Sequence, residues 1–177
     1  FNDVRVRRAV SHAVNRQAII DAVFIKGELT PAISRGLSEW SPRIDELGAG
    51  ARYYQHDPKE ARRLLAEAGV PKGFKTQMST TAGTGAGRQI TDAAQLAQRS
   101  LKDVGIEVEL KIQEYGAYMA TTAKGKFEGM AFGPVSNAWE PDSVLYGLYA
   151  PDQPRNYGHV NDPKITAMLK EQRRTQD

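Results

Sequence analysis

LAQRSLKDVGIEVEL, residues 96–110, changes its hydrophobic period in mid-stretch. Ahead of Gly105, Leu101 and Val104 continue a series with Ile90 and Ala94 that suits the buried side of a helix from about Arg88 to Val104. Beyond the glycine, Ile106, Val108, Leu110 and Ile112 alternate with Glu107, Glu109 and Lys111, the period-two pattern of a half-buried strand. A helix that hands over to such a strand at one glycine is the repeating joint of an α/β domain.

The same alternation of elements extends in both directions. Upstream, Phe74 to Thr81 reads as a strand and leads through a Gly-rich turn into the helix. Downstream come a short helix around Tyr115 to Ala123 and a third apolar strand from Phe127 to Val135. Asp162-Pro163 then starts a last helix that turns Ile165, Met168 and Leu169 inward. Strands separated by helices of this length pair in parallel or mixed fashion, so an α/β sheet with helices on its faces is expected.

Helices precede the sheet. Asp57-Pro58-Lys59-Glu60 supplies a cap, a proline at the first helical position and a glutamate at the third, ahead of Ala61, Leu64, Leu65 and Ala68 and a stop at Gly69. Asp3 can cap a helix whose Val6, Ala9, Val10, Ala13 and Val14 share one face, and Asn15 a second with Ile19, Ile20, Val23 and Phe24. Gly27 and Pro31 open a long irregular stretch reaching about Asp57.

With 177 residues, 40% hydrophobic and 25% charged, the chain suits one compact water-soluble domain over residues 1–177. Lys and Arg number 24 against 21 Asp and Glu, and their densest clusters are only Arg5-Val6-Arg7-Arg8 and Arg173-Arg174, so no nucleic-acid partner is expected. The absence of cysteine excludes disulfides, thiolate metal sites and a cysteine nucleophile, yet leaves the compartment open. No apolar run approaches the roughly 20 residues of a membrane span, so no membrane insertion is expected. The opening Phe1-Asn2-Asp3 is no export signal, which places any such signal outside this chain. Gln176-Asp177 falls just after a helix with no anchor, and the polypeptide is expected to continue.

Four ordered stretches resemble one family. FNDVRVRRAVSHAVNRQAII is similar to the start of the second lobe in dipeptide/oligopeptide-type solute-binding proteins of ABC transporters, bacterial extracellular solute-binding family 5. YYQHDPKEARRLLAEAGVPKGF resembles its Asp-Pro-x-x-Ala-x-x-Leu-Leu-x-x-Ala-Gly element, LAQRSLKDVGIEVEL its helix into a Gly-Ile-x-Val strand, and RNYGHVNDPKITAMLKEQRRTQD its asparagine-bearing approach to a late helix. Each stretch alone is ordinary scaffold; their order and spacing are specific. The resemblance implies one lobe of a type II periplasmic-binding-protein-like fold with a mixed sheet. It also implies a small-molecule solute, ABC permease subunits as partners, a periplasmic or extracytoplasmic location, no cofactor and no catalysis. Such lobes close on a ligand against a larger first lobe, which with the hinge return would lie outside this chain.

The resemblance places the ligand cleft along MAFGPVSNAWEPDSVLYGLY, after the third strand, where open α/β sheets generally bind ligands. Peptide-binding members carry an aspartate for the peptide's α-amino group where Asn137 stands here, and a tryptophan where Pro134 stands; Trp139 follows two residues after Asn137. A free peptide amine therefore fits less well than a neutral or differently charged solute. The expected contacts are Trp139, Asn137, Ser136, Tyr115, Tyr146 and Asn156. Packing is equally open to Trp139, turn or cap duty to Asn137 and Ser136, and packing with a solvated hydroxyl to the tyrosines. Glu140-Pro141-Asp142 reads as the start of the next helix, and Trp40 either anchors its loop or covers the cleft.

Other motifs point away from catalysis. Gly83-Thr84-Gly85-Ala86-Gly87-Arg88 stands where a phosphate loop would, but lacks both the Gly-Lys-Ser/Thr ending and the G-x-G-x-x-G spacing, and reads as a turn. His12, His56 and His159 have no metal-ligand spacing and are expected at the surface or in caps. No G-x-S-x-G elbow and no distinct carboxylate pair appears. The rival reading from another class is the sensing module of a cytoplasmic transcription regulator. A signal peptide or lipoprotein cysteine ahead of this chain would favour transport, and a helix-turn-helix would favour regulation.

Overall fold

The computed structural model describes residues 1–24, 26–31, 33, 35–82, 87–134 and 140–174. Its helices begin where the sequence places their caps. Asp3 accepts the Arg5 amide at 2.7 Å and starts α1 (Val4–Ala13); Asn15 accepts Ala18 N at 3.0 Å and starts α2 (Arg16–Val23). Asp57 takes the amides of Lys59 and Glu60 ahead of α3 (Pro58–Glu67). Each cap satisfies amides that the first helical turn leaves without a partner.

The sheet follows from α3 onward. β1 (Phe74–Thr81) leads to α4 (Gly87–Lys102), β2 (Ile106–Gln113), α5 (Tyr115–Ala120), β3 (Met130–Ala131), α6 (Pro141–Tyr149) and α7 (Pro163–Gln172). Strand order is β2-β1-β3, and pairing among the described strands is parallel throughout, with Phe74 opposite Ile106, Thr81 opposite Gln113 and Met78 opposite Met130. Of the parallel and mixed alternatives, these three strands take the parallel one.

One face of the sheet carries the core. Met78, Ile106 and Val108 pack beneath Ala94, Leu101 and Val104, while α1 lies against α3 through Ala9, Ala13, Ala61, Leu64 and Leu65. Alanines with no exposed surface at positions 9, 13 and 61 let these two helices approach closely. Glycines set the joints. Gly73 and Gly105, both at positive φ, cross where β1 and β2 begin, and a Cβ on Gly73 would overlap the Gly105 carbonyl.

Several expectations change. The irregular 27–57 stretch contains 3-10 helical segments at Arg35–Trp40 and Ile44–Tyr54. It is strapped to α1 by Ser11 Oγ donating to Tyr53 O at 2.6 Å, and the Tyr53 ring stacks under the guanidinium groups of Arg8 and Arg52. His12, expected at the surface or in a cap, is 5% exposed under this strap, its Nδ1 3.2 Å from Gln55 O. The third strand shrinks from Phe127–Val135 to Met130–Ala131 with one further bond, Phe132 N to Ser79 O. Gly129 at positive φ breaks the ladder before it, and Pro134 has no N–H to extend it; Val135 lies outside the described residues. On α7 only Leu169 is buried, against α6. Ile165 and Met168, expected inward, are exposed; the extensive packing of α7 among the described elements is with α6.

Candidate functional site

Three chain segments leave the carboxyl edge of the sheet and enclose a cleft of about 750 Å³. α5 follows β2 and supplies Tyr118 and Met119; the turn Thr122–Lys124 and Phe127 continue that wall. Ala131, Gly133 and Pro134 form the exit from β3. Leu148 of α6 and the loop residues Pro154, Arg155 and Tyr157 close the far side. The volume falls within the roughly 300–1,000 Å³ of small-molecule sites, and the lining is mainly apolar with a few polar groups, as such sites are.

The walls are held by identifiable bonds. Glu114 caps α5 by accepting the amides of Gly116 at 2.7 Å and Ala117 at 3.2 Å. Tyr118, 6% exposed, lies directly against the Gly133 backbone, where a Cβ would come within 2.7 Å of its Cζ. Burial, and next the neighbouring Tyr157, push the Tyr118 hydroxyl above the usual tyrosine range, so it stays a neutral donor. Buried Thr122 donates to Gln113 Oε1 at 2.7 Å, and the Tyr157 hydroxyl donates to the Ala123 carbonyl, joining the α5 wall to the 150s loop.

The amides of Gly116 and Ala117 hold the Glu114 carboxyl below its usual range. A folded-state value that is depressed means that the cap contributes above the ordinary glutamate range and is lost as pH falls through the lower folded value. Hydrogen exchange at Gly116 and Ala117 is therefore expected to accelerate relative to β1 amides as the solution is acidified, and Glu114→Gln is expected to abolish that pH dependence.

The six sequence candidates divide in two. Ser136, Asn137 and Trp139 lie outside the described residues, as do positions 83–86 of the glycine-rich turn. Tyr115 is partly exposed at the first turn of α5. The Tyr146 ring lies 4.2 Å under the Arg173 guanidinium, which also pairs with Asp142, and its hydroxyl donates to Asp152 at 3.3 Å. Asn156 is buried and clamps its loop, donating to Val160 O at 2.8 Å and accepting Val160 N at 2.9 Å. The cleft of about 750 Å³ is lined by their near neighbours Tyr118, Leu148, Arg155 and Tyr157. Three residues on from Tyr115 in a helix capped at Glu114, Tyr118 occupies the face that meets the sheet. Trp40 is half exposed.

Among the described residues no three or more His, Asp or Glu gather as metal ligands, and no helix is long and apolar enough to cross a membrane. A parallel α/β layer with a cleft at the carboxyl edge of its strands is the arrangement in which open α/β sheets generally hold ligands. The family model for bacterial extracellular solute-binding proteins, family 5 Middle, matches residues 1–156, and the chain belongs to that family. Di/tripeptide-binding protein 1 of Pseudomonas aeruginosa is 31% identical over all of this chain and 33% of its own length. The periplasmic binding protein DppA of Helicobacter pylori, solved with the peptide STSA, superposes with a TM-score of 0.77 at 27% identity, covering 99% of this chain and 33% of its own. AgaA of A. tumefacien R10, solved with agropinic acid, gives 0.74 at 27% identity, covering 98% and 35%. The chain thus spans about a quarter to a third of the length of the curated relatives it matches.

Proposed function

We propose that this chain is the second lobe, over residues 1–177, of an extracytoplasmic solute-binding protein that delivers a small molecule to an ABC permease and catalyses no reaction. The observation that carries the reading is the cleft at the carboxyl edge of the parallel sheet, built on walls fixed by Glu114, Tyr118 and Tyr157. Two neighbouring buried clusters, which share Val14 and Phe132 at their borders, join α1 to α4 with β1 and β2 and support treating this part of the chain as one unit. The relatives' names, all of binding proteins, favour transport over gene regulation. They range in ligand from the peptide STSA to agropinic acid, so kinship does not fix the solute. Ser136, Asn137 and Trp139 belong to the proposed contact set because Pro134, two residues ahead of Ser136, lines the cleft.

Half of the contacts come from the first lobe, and affinity arises on closure. Calorimetry on the whole protein is expected to show saturable binding of one solute class from a library of dipeptides, sugars, opines and aromatic acids. The 177-residue lobe alone is expected to bind the same solute far more weakly. Micromolar binding by the isolated lobe would contradict closure as the source of affinity.

A further inference from the structure

The charge of the cleft points to its ligand. Its body is apolar, with Met119, Phe127, Leu148 and Pro154 beside the rings of Tyr118 and Tyr157, but two of its lining residues, Lys124 and Arg155, are cationic and none is acidic. The acids closest in sequence are already engaged: Glu128 with the Gln77 side chain, Asp152 with the Tyr146 hydroxyl. Neither Lys124 nor Arg155 forms an ion pair among the described residues.

The backbone segments that carry the two cations are tied to one another. Lys124 closes the 3-10 turn that begins at Thr122, whose hydroxyl bonds Gln113, and Gly125 ends that turn in the left-handed region. Arg155 sits between Pro154 and the Asn156 clamp. The Tyr157 hydroxyl crosses to the carbonyl of Ala123, the residue before Lys124, and so ties one cationic segment to the other. Two like charges on tied segments beside an apolar wall, with no counter-ion among the described residues, form a site suited to an anion.

We propose that this cleft takes a small carboxylic acid with an apolar body, its carboxylate held between Lys124 and Arg155 and its body against Phe127, Leu148 and the two tyrosine rings. The inference rests on the solute-binding reading and narrows it. A free amine gains nothing here, since no lining residue carries a negative charge, whereas a carboxylate gains charge-assisted hydrogen bonds. Hydrogen bonds to charged groups contribute about 1.5–3 kcal/mol, which predicts roughly a tenfold to hundredfold preference for the acid over its neutral amide.

The test uses the whole protein. N-acetyl-L-phenylalanine, N-acetyl-L-leucine and 4-phenylbutyrate are each compared with the corresponding primary amide by calorimetry, beside a general solute library read by thermal shift. The expected result is that at least one acid binds with the stated preference over its amide. The double variant Lys124→Gln/Arg155→Gln, checked for folding by circular dichroism, is expected to bind acid and amide equally. Equal binding of acid and amide by the unaltered protein, an acid preference that survives in the double variant, or binding of library solutes without a carboxylate alone would overturn the anion inference and leave solute binding standing. If no solute in either set binds, both readings fall.

Discussion

Replacing Gly73 with alanine is expected to lower the unfolding free energy by roughly 2–5 kcal/mol, seen as a shift of the urea midpoint without a change of slope. Two effects combine at this position. Gly73 has φ +78, where an L side chain meets its own backbone, a penalty of about 1–2 kcal/mol. A Cβ there would also overlap the Gly105 carbonyl and come within 2.8 Å of the Gly105 Cα, both backbone atoms at the start of β2. A side chain could rotate away; a backbone at the head of the β1–β2 ladder moves only by shifting the register from Phe74–Ile106 onward. Overpacking of that kind adds about 1–3 kcal/mol. Gly69 separates the two effects, because its φ is +83 but nothing lies within 4 Å of its Cβ position. Gly69→Ala is therefore expected to show only the conformational part. Equal losses at the two positions would mean that the Gly73–Gly105 crossing is not tight.

What the sequence discloses about this lobe follows the range of the interactions. Helix starts are local, decided by a side chain and amides two or three residues on, and Asp3, Asn15, Asp57 and Asp162 all cap as read. The β2 alternation is local too, yet it overstates burial at one end: Ile106 is fully buried while Ile112, at the far end of this outer strand of the described sheet, is half exposed. β3 depends on a neighbour. Its apolar run matches a strand of nine residues, but Gly129 and Pro134 leave only the middle able to pair with β1. His12 shows the same limit, since nothing within α1 states that the 44–55 strap will cover it.

The end of the sheet that carries this cavity was legible in the sequence, while the side chains that line it were not. Resemblance and the strand-end rule both pointed beyond β3, and Ala131, Gly133 and Pro134 do line the cleft. Tyr115, Tyr146 and Asn156 were chosen by type and approximate position. Helix phase and loop geometry decide which of several neighbouring side chains faces this cavity, and Tyr118, Leu148, Arg155 and Tyr157 do. Lys124 and Arg155 carry no motif at all. Their meaning comes from being brought together by the Tyr157–Ala123 bond, across a separation that no local pattern spans.

Truncating Leu101 to alanine is expected to destabilise the lobe by about 2–5 kcal/mol while leaving the acid-over-amide preference of the whole protein intact. Leu101 is 1% exposed on α4 and belongs to the same buried cluster as Leu64 and Leu65 of α3 and Ile106 and Val108 of β2. The cavity left by its missing methyl groups opens where α3, α4 and β2 converge, and a close-packed interior fills such a void only in part. Ile112→Ala removes a side chain of similar size from a half-exposed position and is expected to cost much less, mainly the lost strand preference. The cleft lies at the carboxyl edge, lined by α5, the β3 exit, α6 and the 150s loop, and Leu101 touches none of these lining residues within its cluster. The variant therefore separates two properties of one lobe: how firmly it holds together and what its cleft selects. A lower denaturation midpoint with an unchanged ratio of acid to amide affinity is the expected pair of results. A changed ratio would show that the helical layer under the sheet sets the positions of Lys124 and Arg155, and that the tie through Tyr157 is not sufficient to hold them.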